Sequence, residues 1–325
     1  MLSDHNESCI SVIVTVRNEE TTIRRCIDSL VDQSLSKNLY EIIVVDGRST
    51  DNTYKIVNDM VSNSPVCISL IEQEGTGISC ARNTGIKHSK GSIIVFIDGD
   101  AFADRGCLES YTKCFNDPKI GYAWGPVIIG NPQNLVAKLL YGTYYSLLGA
   151  HGANIAYTRV ALEKADFFDE VFTGRGDENV LNLKIAHLGY LSKKCSAAVV
   201  YHELPTSVLS FLRIRYADGV SARKIYNKYL MDDEKKSFDT RFSIKVMVTF
   251  VSVLFLAYSF CVDIILFGSI FFLTSTALVL IYRHLGASID DLNPIYLLLS
   301  VYLVTLGHVA YLLGEFSFLI KRGIN

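Results

Sequence analysis

Hydrophobic and polar positions follow two different patterns over the first hundred residues. Short apolar runs rich in β-branched residues predict strands, at Cys9–Val16, Tyr40–Val45, Val66–Glu72 and Ser92–Ile97. Between them, apolar residues recur at helical spacing, over Glu20–Gln33, Asp51–Val61 and Gly77–Ser89. This alternation predicts an α/β fold with a mostly parallel, Rossmann-like sheet and helices on both of its faces.

The middle of the chain is less regular. The predicted strands there are Gly121–Ile129, Ala153–Tyr157 and Ala197–Tyr201. The predicted helices are Asn134–Leu148, Asp177–His187 and Val208–Tyr229. The last of these is basic and amphipathic, so it either lies on anionic membrane lipid or presents an ordinary solvated face.

The C-terminal part of the chain is dominated by apolar residues. Ile244–Tyr282 is 39 residues long and contains only Lys245 and Asp263 as charged residues. A single straight helix of that length would extend about 58 Å, roughly twice the ~30 Å hydrocarbon core of a bilayer. We therefore expect a C-terminal transmembrane helical anchor of three spans, near residues 244–261, 264–282 and 295–320. They follow an expected soluble domain at residues 8–230 and a linker at 231–243.

Basic residues concentrate just before the first expected span. By the positive-inside rule, this bias predicts a multi-pass protein of the cell membrane with its soluble domain on the cytoplasmic side. Three spans would leave Lys321 and Arg322 on the opposite side. Two spans and a re-entrant segment are therefore the alternative.

Charge and cysteine usage indicate which partners, metal sites and redox compartment to expect. The formal net charge is −2, which gives no electrostatic reason to expect a nucleic acid partner. The eight cysteines are scattered and form no CxxC pair, so no zinc site is expected. Scattered single thiols suit a reducing compartment, where a free cysteine acts as a small hydrophobe.

Polar residues follow the four predicted strands of the first hundred residues. They are Arg17-Asn18-Glu19, Asp46, Glu72-Gln73-Glu74 and Asp98-Gly99-Asp100. Parallel sheets bind ligands at the carboxyl ends of their strands, so these residues are expected to line one site. A dinucleotide-binding fold would require a GxGxxG motif after the first strand, and the sequence has none there.

Several short motifs occur in a characteristic order. The first group is Val14–Glu19, Val45–Thr53, Ala81–Gly85 and Phe96–Asp100. The second is Gly152–Tyr157, Phe168–Glu170, Gly176–Glu178, Gly189-Tyr190 and Val200–His202. The series resembles the family 2 glycosyltransferases of the GT-A fold, from residue 8 to about 225. Within that family it is similar to the membrane-anchored branch that builds polysaccharides or lipid-linked glycans.

Two carboxylates at the end of the fourth predicted strand suggest a metal site. Asp98 and Asp100 flank Gly99, and a turn at Gly99 would let both side chains point to one side. Carboxylate oxygens suit Mg²⁺ or Mn²⁺, which would bridge the diphosphate of a donor. The resemblance implies that His202 approaches the same metal or the diphosphate, although a structural histidine is the alternative.

The resemblance also implies residues for a nucleotide-sugar donor, linked to UDP or GDP. Glu19 and Asp46 would contact its base and ribose. Gly47-Arg48 departs from the family's usual Asp-Gly at this point, so the base is left open. Arg82 would pair with a donor phosphate, unless it is simply a surface arginine on a helix.

Asp177 and Glu178 occupy the place where the family carries its catalytic carboxylate. An inverting transfer needs a general base beside the acceptor hydroxyl. The resemblance selects Glu178 as that base, with Asp177 as the alternative. Two acids at a helix N-terminus are also favoured by the helix dipole alone.

These residues together imply an inverting transfer of one sugar to a hydroxyl of a lipid-linked or membrane-proximal glycan. A QxxRW motif, typical of processive synthases in this family, is absent. Synthesis of a polyprenyl-phosphate sugar is the alternative reaction, and it needs no strong base. A non-catalytic scaffold or transport subunit with the same fold is a third hypothesis, which the retained acids disfavour.

Overall fold

The computed structural model describes residues 10–143, 152–172, 174–239, 306, 307, 309–313 and 317. They belong to two compact units. The first contains the described residues of 10–130 and 152–203, and the second contains those of 131–143 and 204–317.

The described elements alternate from strand to helix over the first hundred residues, as predicted. The strands are Ile10–Val16 (β1), Tyr40–Asp46 (β2), Cys67–Glu72 (β3), Ile93–Asp98 (β4), Ala101–Ala103 (β5), Ile120–Trp124 (β6), Val127–Ile129 (β7), Asn154–Thr158 (β8), Leu191–Lys194 (β9) and Val200–His202 (β10). The helices are Ile23–Val31 (α1), Thr53–Val61 (α2), Ile78–His88 (α3), Cys107–Cys114 (α4), Leu135–Thr143 (α5), Arg159–Lys164 (α6), Asp177–His187 (α7) and Val208–Lys228 (α8).

A seven-stranded sheet in the order β3-β2-β1-β4-β8-β6-β9 forms the centre of the first unit. Strands β1 to β4 are parallel to their neighbours in this group. Strand β8 runs antiparallel to both β4 and β6. The sheet is therefore mixed, with the expected parallel arrangement confined mainly to the first four strands, and the predicted α/β class is confirmed.

The two faces of this sheet are covered by different helices. Along β1, Ile10, Val12 and Val14 pack into one core with residues of α1 and α2, whereas Ile13 packs into another with residues of α3, α6 and α7. Side chains of a strand alternate between faces. A strand buried on both faces is therefore apolar at nearly every position, which is why β1 and β2 were recognisable in the sequence.

A three-stranded sheet in the order β5-β10-β7 completes the first unit. Its strand β7 lies in the range predicted as one long strand, Gly121–Ile129, which the structure divides between the two sheets. The division falls at Gly125, where a Cβ would lie 1.8 Å from the Ala198 carbonyl oxygen. Only glycine fits there, so the prediction of a single strand is wrong.

Cys114 and Cys195 form a disulfide with an S–S distance of 2.19 Å. The expectation of eight unpaired thiols is therefore wrong for these two residues. The pair joins the end of α4 to the residue that follows β9. Cysteine usage consequently no longer supports a reducing compartment, and the predicted cytoplasmic location rests on the distribution of basic residues alone.

In the second unit, α5 and α8 share a small apolar cluster. Leu139, Leu140 and Phe211 are buried in it. Helix α8 begins at Val208 because the Ser207 hydroxyl accepts a hydrogen bond from the Ser210 amide, a usual N-cap contact. Its range agrees with the predicted helix Val208–Tyr229.

The expected anchor lies almost entirely outside the described residues. Spans 244–261 and 264–282 have no described residue, and span 295–320 has only eight. Within the described part of the chain, no helix combines the length and apolar character needed to cross a bilayer. The anchor therefore remains a prediction.

Candidate active site

The predicted site residues lie where parallel strands of the large sheet end. The register pairs Val16 of β1 with Asp46 of β2, and Thr15 with Asp98 of β4. These strands therefore finish at the same edge, and their following loops share it. The position agrees with the general location of ligand sites in such sheets.

Asp98, Asp100 and His202, called here the metal group, come together beside this edge. His202 lies on β10, which pairs antiparallel with β5 immediately after Asp100. Its Nε2 atom is 3.2 Å from Asp100 Oδ1 and 3.8 Å from Asp98 Oδ2. One ligand atom from each of the three lies within 4.8 Å of the others. Two carboxylate oxygens and one imidazole nitrogen are a donor set that fits Mn²⁺ or Mg²⁺.

Gly99 allows the tight turn between the two aspartates. A Cβ at this position would lie 2.6 Å from Val16 Cγ1. Side chains essentially never approach so closely, so any larger residue would displace the turn or Val16. The turn thus depends on glycine.

The metal group changes the acid–base properties of its members and neighbours. Burial disfavours the charged imidazole of His202, yet hydrogen bonds to Asp100 and Asp98 raise its pKa to about 10. Glu19 is also close: burial, together with repulsion from Asp100, raises the pKa of its carboxyl group. The site is therefore rich in negative charge and suited to a cation.

Glu19 was predicted to contact the nucleoside, and the structure places it beside the metal group. Its carboxylate accepts a hydrogen bond from Thr22 Oγ1 at 2.9 Å, while its amide donates to Thr53 Oγ1 at 2.7 Å. Contact with a nucleoside stays a prediction.

Asp46, the other predicted nucleoside residue, is buried at the end of β2. Its carboxylate accepts hydrogen bonds from both the amide and the hydroxyl of Ser49. Ser49 Oγ in turn accepts from the Asn18 amide at 2.9 Å. Asp46 thus braces the loops after β1 and β2, and a nucleoside contact again stays a prediction.

Arg82 lies on α3 with only 3% of its side chain exposed. Its Nη1 atom is 2.7 Å from Asp177 Oδ2 and 3.8 Å from Glu178 Oε2, and its Nη2 atom is 3.6 Å from Asp98 Oδ1. The sequence suggested a phosphate ligand or a surface arginine. The surface position is wrong, because the structure encloses this guanidinium among three carboxylates. The phosphate contact stays a prediction.

Asp177 and Glu178, called here the acidic pair, begin α7. Gly176 precedes them with φ of 91°, a left-handed conformation that favours glycine. The side chain of Asp177 is 1% exposed and that of Glu178 is 18% exposed. Burial and repulsion from Glu178 raise the pKa of Asp177 to about 7, although Arg82 opposes the rise. Glu178 is therefore the member of the pair that an acceptor can approach.

Asn154 is a buried polar residue that the sequence analysis missed. Its Nδ2 atom donates to the carbonyl oxygens of Ala198 at 2.7 Å and Pro126 at 3.0 Å, and its Oδ1 accepts from Tyr111 Oη at 2.7 Å. It thereby holds the approach to β10 against the segment that joins β6 and β7. A single asparagine within the apolar strand β8 was the available signal.

Comparison with known proteins identifies the family. Residues 11–168 match the family described as "Glycosyl transferase family 2". This match covers 158 of the 325 residues and identifies residues 11–168 as a family 2 glycosyltransferase domain. Asp98 and Asp100 of the metal group lie within the matched residues, whereas the acidic pair and His202 follow them in the chain.

Curated relatives of this chain match it over different lengths. Glycosyltransferase AglE of Haloferax volcanii is 32% identical over 42% of this chain and 45% of its own length. A dolichyl N-acetyl-alpha-D-glucosaminyl phosphate 3-beta-D-2,3-diacetamido-2,3-dideoxy-beta-D-glucuronosyltransferase of Methanococcus voltae is 25% identical over 67% of this chain and 75% of its own. The chain spans less than half of the length of AglE.

Solved structures agree on the fold. Mannosyltransferase PcManGT from Pyrobaculum calidifontis, in complex with GDP-Man and Mn²⁺, has a TM-score of 0.63 at 21% identity, covering 92% of this chain and 86% of that one. Residues 1–349 of S. aureus TarS give a TM-score of 0.50 at 19% identity, covering 97% of this chain and 92% of that one. At these identities the likeness supports the GT-A-like fold alone.

Proposed function

We propose that this protein is a metal-dependent glycosyltransferase that moves one sugar from a nucleotide diphosphate to an acceptor hydroxyl with inversion. The observation that carries the proposal is the meeting of the metal group and the acidic pair at one site. The donor set of Asp98, Asp100 and His202 suits a divalent cation. PcManGT, which has a similar fold, was solved with GDP-Man and Mn²⁺.

The donor side of the site is formed by the metal group and the loops after β1 and β2. Asp98, Asp100 and His202 would hold Mg²⁺ or Mn²⁺, and the bound cation would neutralise charge on the departing nucleoside diphosphate. His202 would bind it through the neutral imidazole, so a proton and the cation compete for this residue. Glu19 and Asp46 would orient the nucleoside of a UDP- or GDP-linked sugar.

The acceptor side is formed by Glu178. Its carboxylate would take the proton of the acceptor hydroxyl while that oxygen bonds to the anomeric carbon of the sugar. The bond between the anomeric carbon and the diphosphate oxygen breaks, and its electron pair leaves with the diphosphate. One displacement of this kind inverts the anomeric configuration. Glu178 is preferred as the base because Asp177 is almost fully buried.

The acceptor is proposed to be a lipid-linked or membrane-proximal glycan. Two observations support this: the apolar stretches of residues 244–320, and the Methanococcus voltae relative, whose name describes transfer to a dolichyl phosphate-linked sugar. A multi-pass anchor there would keep the site beside membrane lipid. The basic residues before it favour a cytoplasmic catalytic domain.

A panel of nucleotide sugars tests the proposal directly. Purified full-length protein is incubated with UDP- and GDP-linked sugars, with Mn²⁺, with Mg²⁺ or with EDTA, and released nucleoside diphosphate is measured. We expect release from at least one donor, and its loss in EDTA. Activity that persists in EDTA would remove the metal from the mechanism, and no release from any donor, with or without lipid extract, would contradict the proposed function.

A further inference from the structure

Arg82 lies between the two halves of the proposed site. One of its terminal nitrogens faces both residues of the acidic pair, and the other faces Asp98 of the metal group. These carboxylates come from two segments separated by about eighty residues of sequence. Arg82 is therefore a direct physical link between the donor side and the acceptor side.

The guanidinium is enclosed on its remaining sides. It lies 5.7 Å from the ring centre of Phe96 and 5.4 Å from that of Phe168. A Cβ on Gly152 would lie 2.8 Å from Nη2, so even one additional carbon would be too close. A diphosphate could not reach this cation without displacing the residues that enclose it. This enclosure argues against the phosphate contact implied by the family resemblance.

The geometry also depends on a planar, forked cation. Arginine presents nitrogen donors in a fixed plane and can face two acceptor groups at once, whereas the lysine ammonium is a single point charge. Within the described residues, Arg82 Nε is buried and has no hydrogen-bond partner. Only the two terminal nitrogens therefore engage carboxylates, and the side chain acts as a bridge.

We propose that Arg82 is a positioning residue, which fixes the Glu178 base relative to the metal-binding Asp98 by bridging Asp98 and the acidic pair. This inference rests on the proposed function. Arg82 would not touch the substrate. It would set the distance between the group that receives the proton and the group that holds the donor.

Separate measurements of kcat and of donor affinity distinguish a positioning role from phosphate binding. In Arg82→Lys, we expect kcat to fall by about 10²-fold, the usual effect of a small misplacement of reacting groups. The dissociation constant for the donor nucleotide should change by less than about threefold. If donor affinity falls by tenfold or more while kcat is retained, Arg82 binds phosphate, and if neither changes, the positioning role is wrong.

Arg159→Lys is the matched control. Arg159 also donates to several oxygens, at Ser89 and Gly91, but it lies outside the site. We expect this variant to retain kcat. An equal loss of kcat in Arg159→Lys would mean that the effect reflects general loosening of the fold, which contradicts the proposal.

A stability cycle tests the bridge without relying on turnover. Melting temperatures are compared for wild type, Arg82→Met, Asp177→Asn and the double variant. Removing one partner leaves the other buried and uncompensated, so the two losses should be strongly non-additive. Additive losses would overturn the bridge, and should Arg82→Met fail to fold, Arg82→Lys takes its place. If neither wild type nor any variant turns over a donor, the proposed function is wrong. The stability cycle then still tests whether Arg82 bridges the carboxylates.

Discussion

The metal group and the acidic pair are built in different ways. The metal group is assembled from two distant segments, the end of β4 with the turn that follows it and strand β10, and all three of its side chains remain partly open. The acidic pair comes from one helix start, where adjacent residues have opposite environments: Asp177 is enclosed with Arg82, and Glu178 is accessible. In the first case the whole group is available to a ligand, whereas in the second one residue supports the other.

The largest expected effect is on the metal group. Asp100→Asn should abolish turnover, because it removes a negative ligand from the set that holds the cation. Binding of Mn²⁺, followed by electron paramagnetic resonance, should weaken in parallel. Asp59→Asn, at an exposed position on α2, is the control and should leave both unchanged. Full turnover and Mn²⁺ binding by Asp100→Asn would show that the group is not a metal site.

The next effect separates the two acids. Glu178→Gln should lower kcat by about 10²–10⁴-fold, the usual contribution of a positioned base. Donor affinity should be nearly unchanged, because the donor side lies at other residues. Asp177→Asn should reduce kcat less, through Arg82. An inactive Asp177→Asn beside an active Glu178→Gln would reverse the roles, and normal turnover by both would favour a phosphate acceptor, as in polyprenyl-phosphate sugar synthesis.

Sequence reasoning succeeded where the signal was local. Strands β1, β2 and β4 are apolar at most of their positions because both of their faces are buried. Parallel strands end at one edge, so the placement of Glu19, Asp46 and Asp98 at the same edge of the sheet followed from the predicted topology. Asp100 needed only the two-residue spacing across Gly99.

Sequence reasoning failed where contacts join distant segments. Strand β5 has three residues, Ala101–Ala103, which is too short to show a periodic pattern. Arg82 pairs with Asp177, which lies 95 residues away, and Cys114 with Cys195, 81 residues away. No local pattern encodes such partners. The sequence also does not show which of the adjacent residues Asp177 and Glu178 is exposed.

A moderate effect is expected at the turn of the metal group. Gly99→Ala should destabilise the protein by about 1–3 kcal/mol, the usual cost of overpacking, because its Cβ would clash with Val16. Mn²⁺ affinity should fall as the turn shifts. Gly106→Ala is the control, since the nearest atom to its Cβ would be 3.7 Å away. Chemical denaturation measures the difference, and equal stability of the two variants would contradict the tight turn.

The smallest expected effect is the pH dependence contributed by Asp177. Its pKa is raised from about 3.8 to about 7 in the folded protein, mainly by burial. The folded state therefore holds this proton more tightly than the unfolded state does. The resulting stabilisation is complete below about pH 4 and is lost as the pH rises towards 7. Relative to Asp177→Asn, which cannot titrate, the protein should become less stable over that interval, by a few degrees in melting temperature. Both proteins should carry Glu178→Gln, so that titration of the neighbouring acid does not contribute.

The opposite slope, in which the protein with Asp177 becomes more stable than the Asp177→Asn variant as the pH rises, would mean that attraction to Arg82 outweighs burial. Asp177 would then be a permanently charged partner of the bridge, and the contrast between an enclosed support and an accessible base would be sharper still.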